Sequence, residues 1–204
     1  MIAVIVLAAG RSSRMGQCKL LLPYRGSTVL ETVIKNATAS SADQVIVVVS
    51  AWMPSEVVER LMGARISVVV NDMSESEMID SLRIALKALQ KQCGESIDAF
   101  IVMLADQPAI GHEIIDELIR AWYRSPAGII IPTYNGKRGH PVLLSGRYIS
   151  ELLLYRGEYG LRSFIAEHSN DVKEVPVQTD AILRDIDTNE DYERELRMLT
   201  DHRI

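Results

Sequence analysis

Apolar positions along the chain fall into two kinds, and the two kinds alternate. Short continuous runs occur at 2–7 (IAVIVL), 45–49 (VIVVV), 66–70 (ISVVV), 99–104 (AFIVML) and 128–131 (GIII). Continuous Val/Ile-rich runs predict strands buried on both faces of a parallel sheet; one-sided strands would alternate polar and apolar residues. Between the runs lie stripes at helical spacing. Val29, Leu30, Val33, Ile34 and Ala37 share one face behind a Thr28-x-x-Glu31 capping box. Residues 54–62 open with Pro54 and carry Val57, Val58 and Leu61. Ile79, Leu82, Leu86 and Leu89 follow, with Ser74-x-x-Glu77 as a candidate cap, and then Ile114, Ile115, Leu118, Ile119 and Trp122. Strand and helix in alternation with short connections predict a doubly wound α/β fold with a mostly parallel sheet. The stripes, with Trp52 and Trp122, are expected in the core.

The order weakens after residue 132. Residues 133–141 (TYNGKRGHP) read as a polar loop and 142–168 as mostly helical. A short strand is expected at 172–177, another near 182–186, and a charged helix from about 189 to 199 behind a Thr188-x-x-Asp191 cap. No linker-like composition or internal repeat interrupts the chain, so residues 1–204 are expected to form a single domain.

Composition changes this picture little. With 48% hydrophobic and 24% charged residues, the chain sits near the globular average, which excludes a disordered or collagen-like class. A net charge of −5 argues against a nucleic-acid partner. No apolar run approaches the ~20 residues of a membrane span. Two cysteines, Cys18 and Cys93, suit a reducing compartment, and the N-terminal apolar run lacks a preceding basic region, so a cytoplasmic location is expected.

The distribution of charge says more than its sum. The first 30 residues contain no acid but carry Arg11, Arg14, Lys19 and Arg25. In an open parallel sheet, ligands lie beyond the carboxyl ends of the strands. After the first strand come Leu7, Ala8, Ala9 and Gly10, small residues whose backbone N–H groups can face an anion, with Arg14 and Lys19 supplying charge for phosphoryl oxygens. The spacing matches neither a dinucleotide fingerprint nor a Walker loop. Asp106, at the end of the fourth long run, is well placed for Mg²⁺, a hard cation taking one or two carboxylates plus substrate phosphates; capping the next turn is the alternative. Asp187 is a candidate second ligand. The loop Gly136–Pro141 carries Gly139 and His140, candidates for ligand contact.

These segments carry a family resemblance. L-A-A-G-R-S-S-R-M-G-Q-C-K-L-L-L-P at 7–23 closely resembles the L-A-A-G-x-S-x-R-M-G-x-x-K-x-L-L-P signature of MobA-like nucleotidyltransferases, and looks most like their molybdenum cofactor cytidylyltransferase branch. L-A-D-Q-P at 104–108, G-H-P-V at 139–142 and D-I-D-T-x-E-D at 185–191 match in order. The resemblance implies a Rossmann-like, three-layer α/β/α nucleotidyltransferase fold. It implies nucleotide contacts from Leu7, Ala8, Ala9, Gly10, Arg14, Lys19, Asn71 and Ser81, and charge stabilisation by Lys19 and Arg14. It further implies Mg²⁺ on Asp106 and Asp187, and acceptor contacts from Gly139 and His140. CTP is the favoured nucleotide, partly because Ala8-Ala9 resembles the cytidylyl branch, and the acceptor is a phosphorylated small molecule such as molybdopterin. A sugar or polyol phosphate acceptor is one alternative. The other is a weakly catalytic, nucleotide-binding accessory protein in maturation of a molybdoenzyme, for instance one of purine catabolism, with the molybdoenzyme or its chaperone as partner. One position departs from the family: Glu77 stands where a glycine is frequent, and glutamate neither takes positive φ cheaply nor is neutral near a triphosphate.

Overall fold

A computed structural model describes residues 1–10, 17–73, 77–94 and 96–201. In chain order they form β1 (Ile2–Ala8), the short hairpin β2 (Pro23–Tyr24) and β3 (Ser27–Thr28), α1 (Val29–Ala39), β4 (Gln44–Ser50), α2 (Ser55–Leu61), β5 (Ile66–Asn71) and α3 (Met78–Cys93). There follow β6 (Ala99–Leu104), α4 (His112–Tyr123), β7 (Ile129–Tyr134), β8 (Lys137–Arg138), β9 (Val142–Ser145), α5 (Ile149–Leu154), α6 (Leu161–Glu167), β10 (Val172–Pro176) and α7 (Asn189–Asp201).

The main sheet runs β10-β7-β9-β6-β1-β4-β5, with β8 hairpinned onto β7. Its pairings are parallel except those of β8 and β9. All of β1 is buried, and its side chains alternate between two cores. Ile2, Val4, Val6 and Ala8 pack with α1, α2, α4 and α7, while Ala3, Ile5 and Leu7 pack with α3, α5 and α6. That alternation is why the sequence run is continuous, and it makes the molecule three layers.

Local signals explain the frame. Thr28 and Glu31 form the reciprocal capping box at α1, at 3.2 and 3.0 Å. Arg25 and Gly26, both at positive φ, turn the β2–β3 hairpin, and Asn135 and Gly136 turn β7 into β8 in the same way.

Several expectations need correction. Residues 142–168 begin with the strand β9, which fills the space between β6 and β7; only its shortness disguised it. The strand expected near 182–186 is a 3₁₀ turn at Asp180–Leu183 followed by an extended connection. Ser74 lies outside the described residues, and Glu77 is the cap of α3. Trp52 is 44% exposed, whereas Trp122 packs partly buried against the core. Among the described residues, no helix is long and apolar enough to cross a membrane.

β1 is the switch point, since the chain runs outward from it to β4 and β5 and then returns to β6 on its other side. Leu7 faces Leu104 across the β1–β6 pairing, and the Ala105 N–H donates to the Leu7 carbonyl at 3.2 Å. The segments after Ala8 and after Leu104 therefore leave the sheet side by side. Gly139 closes the opposite wall: its N–H donates to Pro132 O, and the next residue's N–H to Ile182 O at 3.1 Å. A Cβ on Gly139 would lie 2.2 Å from that Ile182 carbonyl oxygen. Gly139→Ala should therefore destabilise by about 1–3 kcal/mol through forced backbone movement. At about 2–4 °C per kcal/mol for a chain of this size, thermal unfolding reads the change directly, and an unaltered Tm would contradict it.

Candidate active site

Lys19 stands on the first residue of a 3₁₀ turn, Lys19–Leu21, anchored by the buried Leu20 and tied to α1 through a Val29 N–H to Leu22 O bond of 3.0 Å. The hairpin behind it is fixed to α7. Tyr24, fully buried, donates to Glu195 at 3.3 Å, and Tyr192 donates to Pro23 O at 2.6 Å. Burial and the Glu195 charge push the Tyr24 phenol up to about 12, so it stays a donor.

Asp106 leaves the end of β6 immediately beside this turn. Asp187 arrives from the far end of the chain. The Ile186 N–H donates to Asp106 O at 3.0 Å, Ile186 is buried, and Thr188 and Asp191 cap α7 reciprocally at 3.2 and 3.0 Å. The three candidate side chains meet: Lys19 Nζ lies 2.7 Å from Asp106 Oδ2 and 2.8 Å from Asp187 Oδ1. Burial alone would lower the Lys19 pKa, but the two aspartates outweigh it and hold the ammonium above the ordinary lysine range. The two pairs differ in weight. Lys19 and Asp106 are 14% and 21% exposed, a setting where removing one partner costs about 3–5 kcal/mol when burial is complete. Asp187 is 46% exposed, closer to the ~0.2–1 kcal/mol of surface pairs.

Asp185 adds a third carboxylate, accepting from the buried Gln107 amide. Burial, then the neighbouring Asp106 charge, raises its pKa, while the Gln107 bond opposes the rise. Neither Asp185 nor Gln107 was among the candidates. The signal was present: in Asp185-Ile186-Asp187 the apolar residue turns into the core, so both acids face the other way.

A hard divalent cation fits this donor set. Asp106 Oδ1 is buried and has no hydrogen-bond partner among the described residues, an arrangement that costs free energy unless something binds there. Among the described residues, no group of three or more His, Cys, Asp and Glu side chains forms a ready-made metal cage.

The remaining candidates divide. Ala8 is buried, Ala9 half-buried, and Gly10 exposed, with no atom of a described residue within 4 Å of where a Cβ would stand. The Leu7 side chain belongs to the core. Asn71 and Ser81 are together and buried at the end of β5: Asn71 donates to Ser81 Oγ at 2.9 Å and accepts from the Met73 N–H at 3.0 Å. Arg14 lies outside the described residues. Glu77 is exposed with φ −78 and ψ 163, extended backbone open to any residue, and its N–H donates to Asp80 at 3.1 Å. Glutamate at this position therefore needs no glycine-like conformation. His140 lines a cavity of about 470 Å³ together with Gly139. Burial lowers the His140 pKa against the opposing pull of Asp106, so the ring is neutral at neutral pH.

With this geometry in place, residues 4–172 match the family described as MobA-like NTP transferase domains. The chain belongs to that family. This nucleotidyltransferase is 30% identical over 189 residues to the molybdenum cofactor cytidylyltransferase of Escherichia coli K12, covering 92% of each chain. It is similar to a solved nucleotidyl transferase from Methanothermobacter, with TM-score 0.78, 26% identity and coverage of 97% of this chain and 99% of that one. It is also similar to a Mycobacterium tuberculosis H37Rv protein solved in complex with manganese, with TM-score 0.75, 26% identity and 96% and 98% coverage. The fold is thus the nucleotidyltransferase fold, and the enzyme class follows.

Two predictions rest on the local geometry. Thr188→Ala should cost about 1 kcal/mol by removing the α7 cap, measured by denaturant unfolding, and should loosen Asp187. Because the His140 pKa is depressed, the unfolded chain takes up its proton first, so this residue erodes stability as pH falls below about 6.5. The stability difference between His140→Gln and the parent should move in the variant's favour from pH 7 to pH 5; a pH-independent difference would contradict a depressed pKa.

Proposed function

We propose that this nucleotidyltransferase moves a nucleotidyl group, CMP from CTP, onto the phosphate of a molybdopterin-type acceptor and releases pyrophosphate. The observation that carries this is the convergence of Lys19, Asp106 and Asp187 at the carboxyl ends of β1 and β6. Similarity to the E. coli cytidylyltransferase supports the base and the acceptor.

In the reaction, an acceptor phosphate oxygen attacks the α-phosphorus in line, and the bond to the β-phosphate breaks, the electron pair leaving on pyrophosphate. The acceptor is already an anion, so no nucleophilic side chain or general base is needed. Positioning and charge neutralisation supply the catalysis. The backbone of Ala8–Gly10 is available to the triphosphate, and Lys19 together with Arg14 neutralises the leaving pyrophosphate. Asp106 and Asp187 would hold Mg²⁺, which supplies Lewis-acid polarisation of the phosphoryl oxygens. His140, kept neutral, orients at the acceptor side without adding a charge.

Lys19→Ala and Asp106→Ala should each lower pyrophosphate release by about 100-fold or more, the scale of losing one transition-state charge partner. Circular dichroism should show both variants folded. Full activity in Asp106→Ala would overturn its role. In thermal shift with Mg²⁺, CTP should stabilise more than GTP, ATP or UTP; a larger shift with GTP would reverse the choice of base.

A further inference from the structure

Helix α7 turns one face to the body of the molecule. Tyr192, Leu196 and Leu199 pack partly buried against the core at helical spacing, and Glu195 falls on the same face. Among the described residues, Glu195 is the one charged side chain that is fully buried, at 2% exposure. Its carboxylate has partners from two other segments. Tyr24 donates to Oε2 at 3.3 Å. Arg184 Nε stands 3.1 Å from Oε1, an ion pair without hydrogen-bond alignment, and 3.5 Å from Asp180 Oδ1. No step of the proposed reaction uses this cluster.

Stability does not account for it. A carboxylate loses its hydration on burial, and an interior ion pair often gains nothing over apolar side chains of similar volume. A leucine at 195 would simply continue the apolar face of α7. The partners come from particular places, however. Tyr24 lies five residues beyond Lys19 and is joined to it through the turn that holds the buried Leu20. Arg184 immediately precedes Asp185 and lies three residues before Asp187. Glu195 belongs to the helix whose cap, Thr188, follows Asp187. One buried carboxylate therefore grips both segments that meet at the candidate site. The contact between Lys19 and Asp187 cannot set their separation by itself, because Asp187 is half-exposed and the pair is screened by water.

We propose that Glu195 is a positioning residue for nucleotidyl transfer: bound to Tyr24 and Arg184, its carboxylate fixes where Lys19 stands relative to Asp187. The inference rests on the reaction proposed above for what Lys19 does, and on the geometry alone for how Lys19 is held. Precision matters there, since a displacement of about 1 Å can cost about 100-fold in rate.

The test replaces the cluster with apolar side chains in the triple variant Tyr24→Phe/Arg184→Met/Glu195→Leu of the full chain, which should stay folded by circular dichroism. Lys19 should then acetylate at least ~3-fold faster than in the parent, measured by mass spectrometry against the exposed Lys87. With CTP and a phosphorylated pterin, kcat for pyrophosphate release should fall at least ~10-fold while KM for CTP changes less than ~3-fold. Lys19→Ala should cost the triple variant at least ~10-fold less than it costs the parent, because both changes act through one ammonium. Tyr24→Phe alone should speed Lys19 acetylation in the same direction. Glu195→Gln, which keeps an acceptor for Tyr24, should retain more of kcat than Glu195→Leu. A folded triple variant with parental Lys19 acetylation, or full additivity with Lys19→Ala, overturns the inference. If the triple variant does not fold, parental acetylation in Tyr24→Phe overturns it. Faster Lys19 acetylation in the variants, with no pyrophosphate release by the parent, leaves the grip on Lys19 standing and overturns the transfer. Pyrophosphate release by the parent with unchanged acetylation in the variants does the reverse.

Discussion

The Lys19 ammonium, held between Asp106 and Asp187, is the contact on which the rest of the molecule converges. It joins three segments separated by 87 and 168 residues in sequence. Each is brought to it by burial of an apolar neighbour, Leu20 beside Lys19, Ala105 beside Asp106 and Ile186 beside Asp187. The apolar core therefore supplies the positioning, and the charges themselves need only short reach. The energetics favour this division, because charges leaving water gain little on balance unless their geometry is already fixed. One ammonium faces Asp106, Asp187 and, at longer range, Asp185. The three carboxylates outnumber the single ammonium, so the cluster carries a local surplus of negative charge.

The fold was legible where two-sided burial writes itself as a continuous apolar run. β1, β4, β5, β6 and β7 are such strands, and α1, α3 and α4 show the one-sided stripe that packing on a sheet requires. Legibility failed where elements are short. β9, at four residues, carries too few positions to set a period, and the turn at Asp180–Leu183 has the apolar content of a strand because Ala181 and Ile182 are buried without being paired in the sheet. Long-range packing, which a linear pattern does not encode, decides both.

The site was legible in proportion to how tightly its residues are grouped in sequence. Lys19 and Asp106 announce themselves as a cation after one buried strand and an acid after another. Asp187 gained its meaning from Ile186, whose burial fixes which way the chain faces. Glu77 looked anomalous against a familial glycine, yet its extended backbone at the start of α3 is ordinary. Charge patterning thus picked out the side chains that meet at Lys19, while the cavity beside His140 depends on tertiary structure.

In the proposed reaction the bond broken lies between the α- and β-phosphates, and the α-phosphorus goes to the acceptor. Incubating the protein with Mg²⁺, a phosphorylated pterin and CTP carrying radiolabel at either the α- or the γ-phosphate tests it most directly. The account predicts that the α-label co-migrates with the acceptor and the γ-label appears as pyrophosphate. Transfer of the γ-label to the acceptor, or its release as inorganic phosphate, would contradict it.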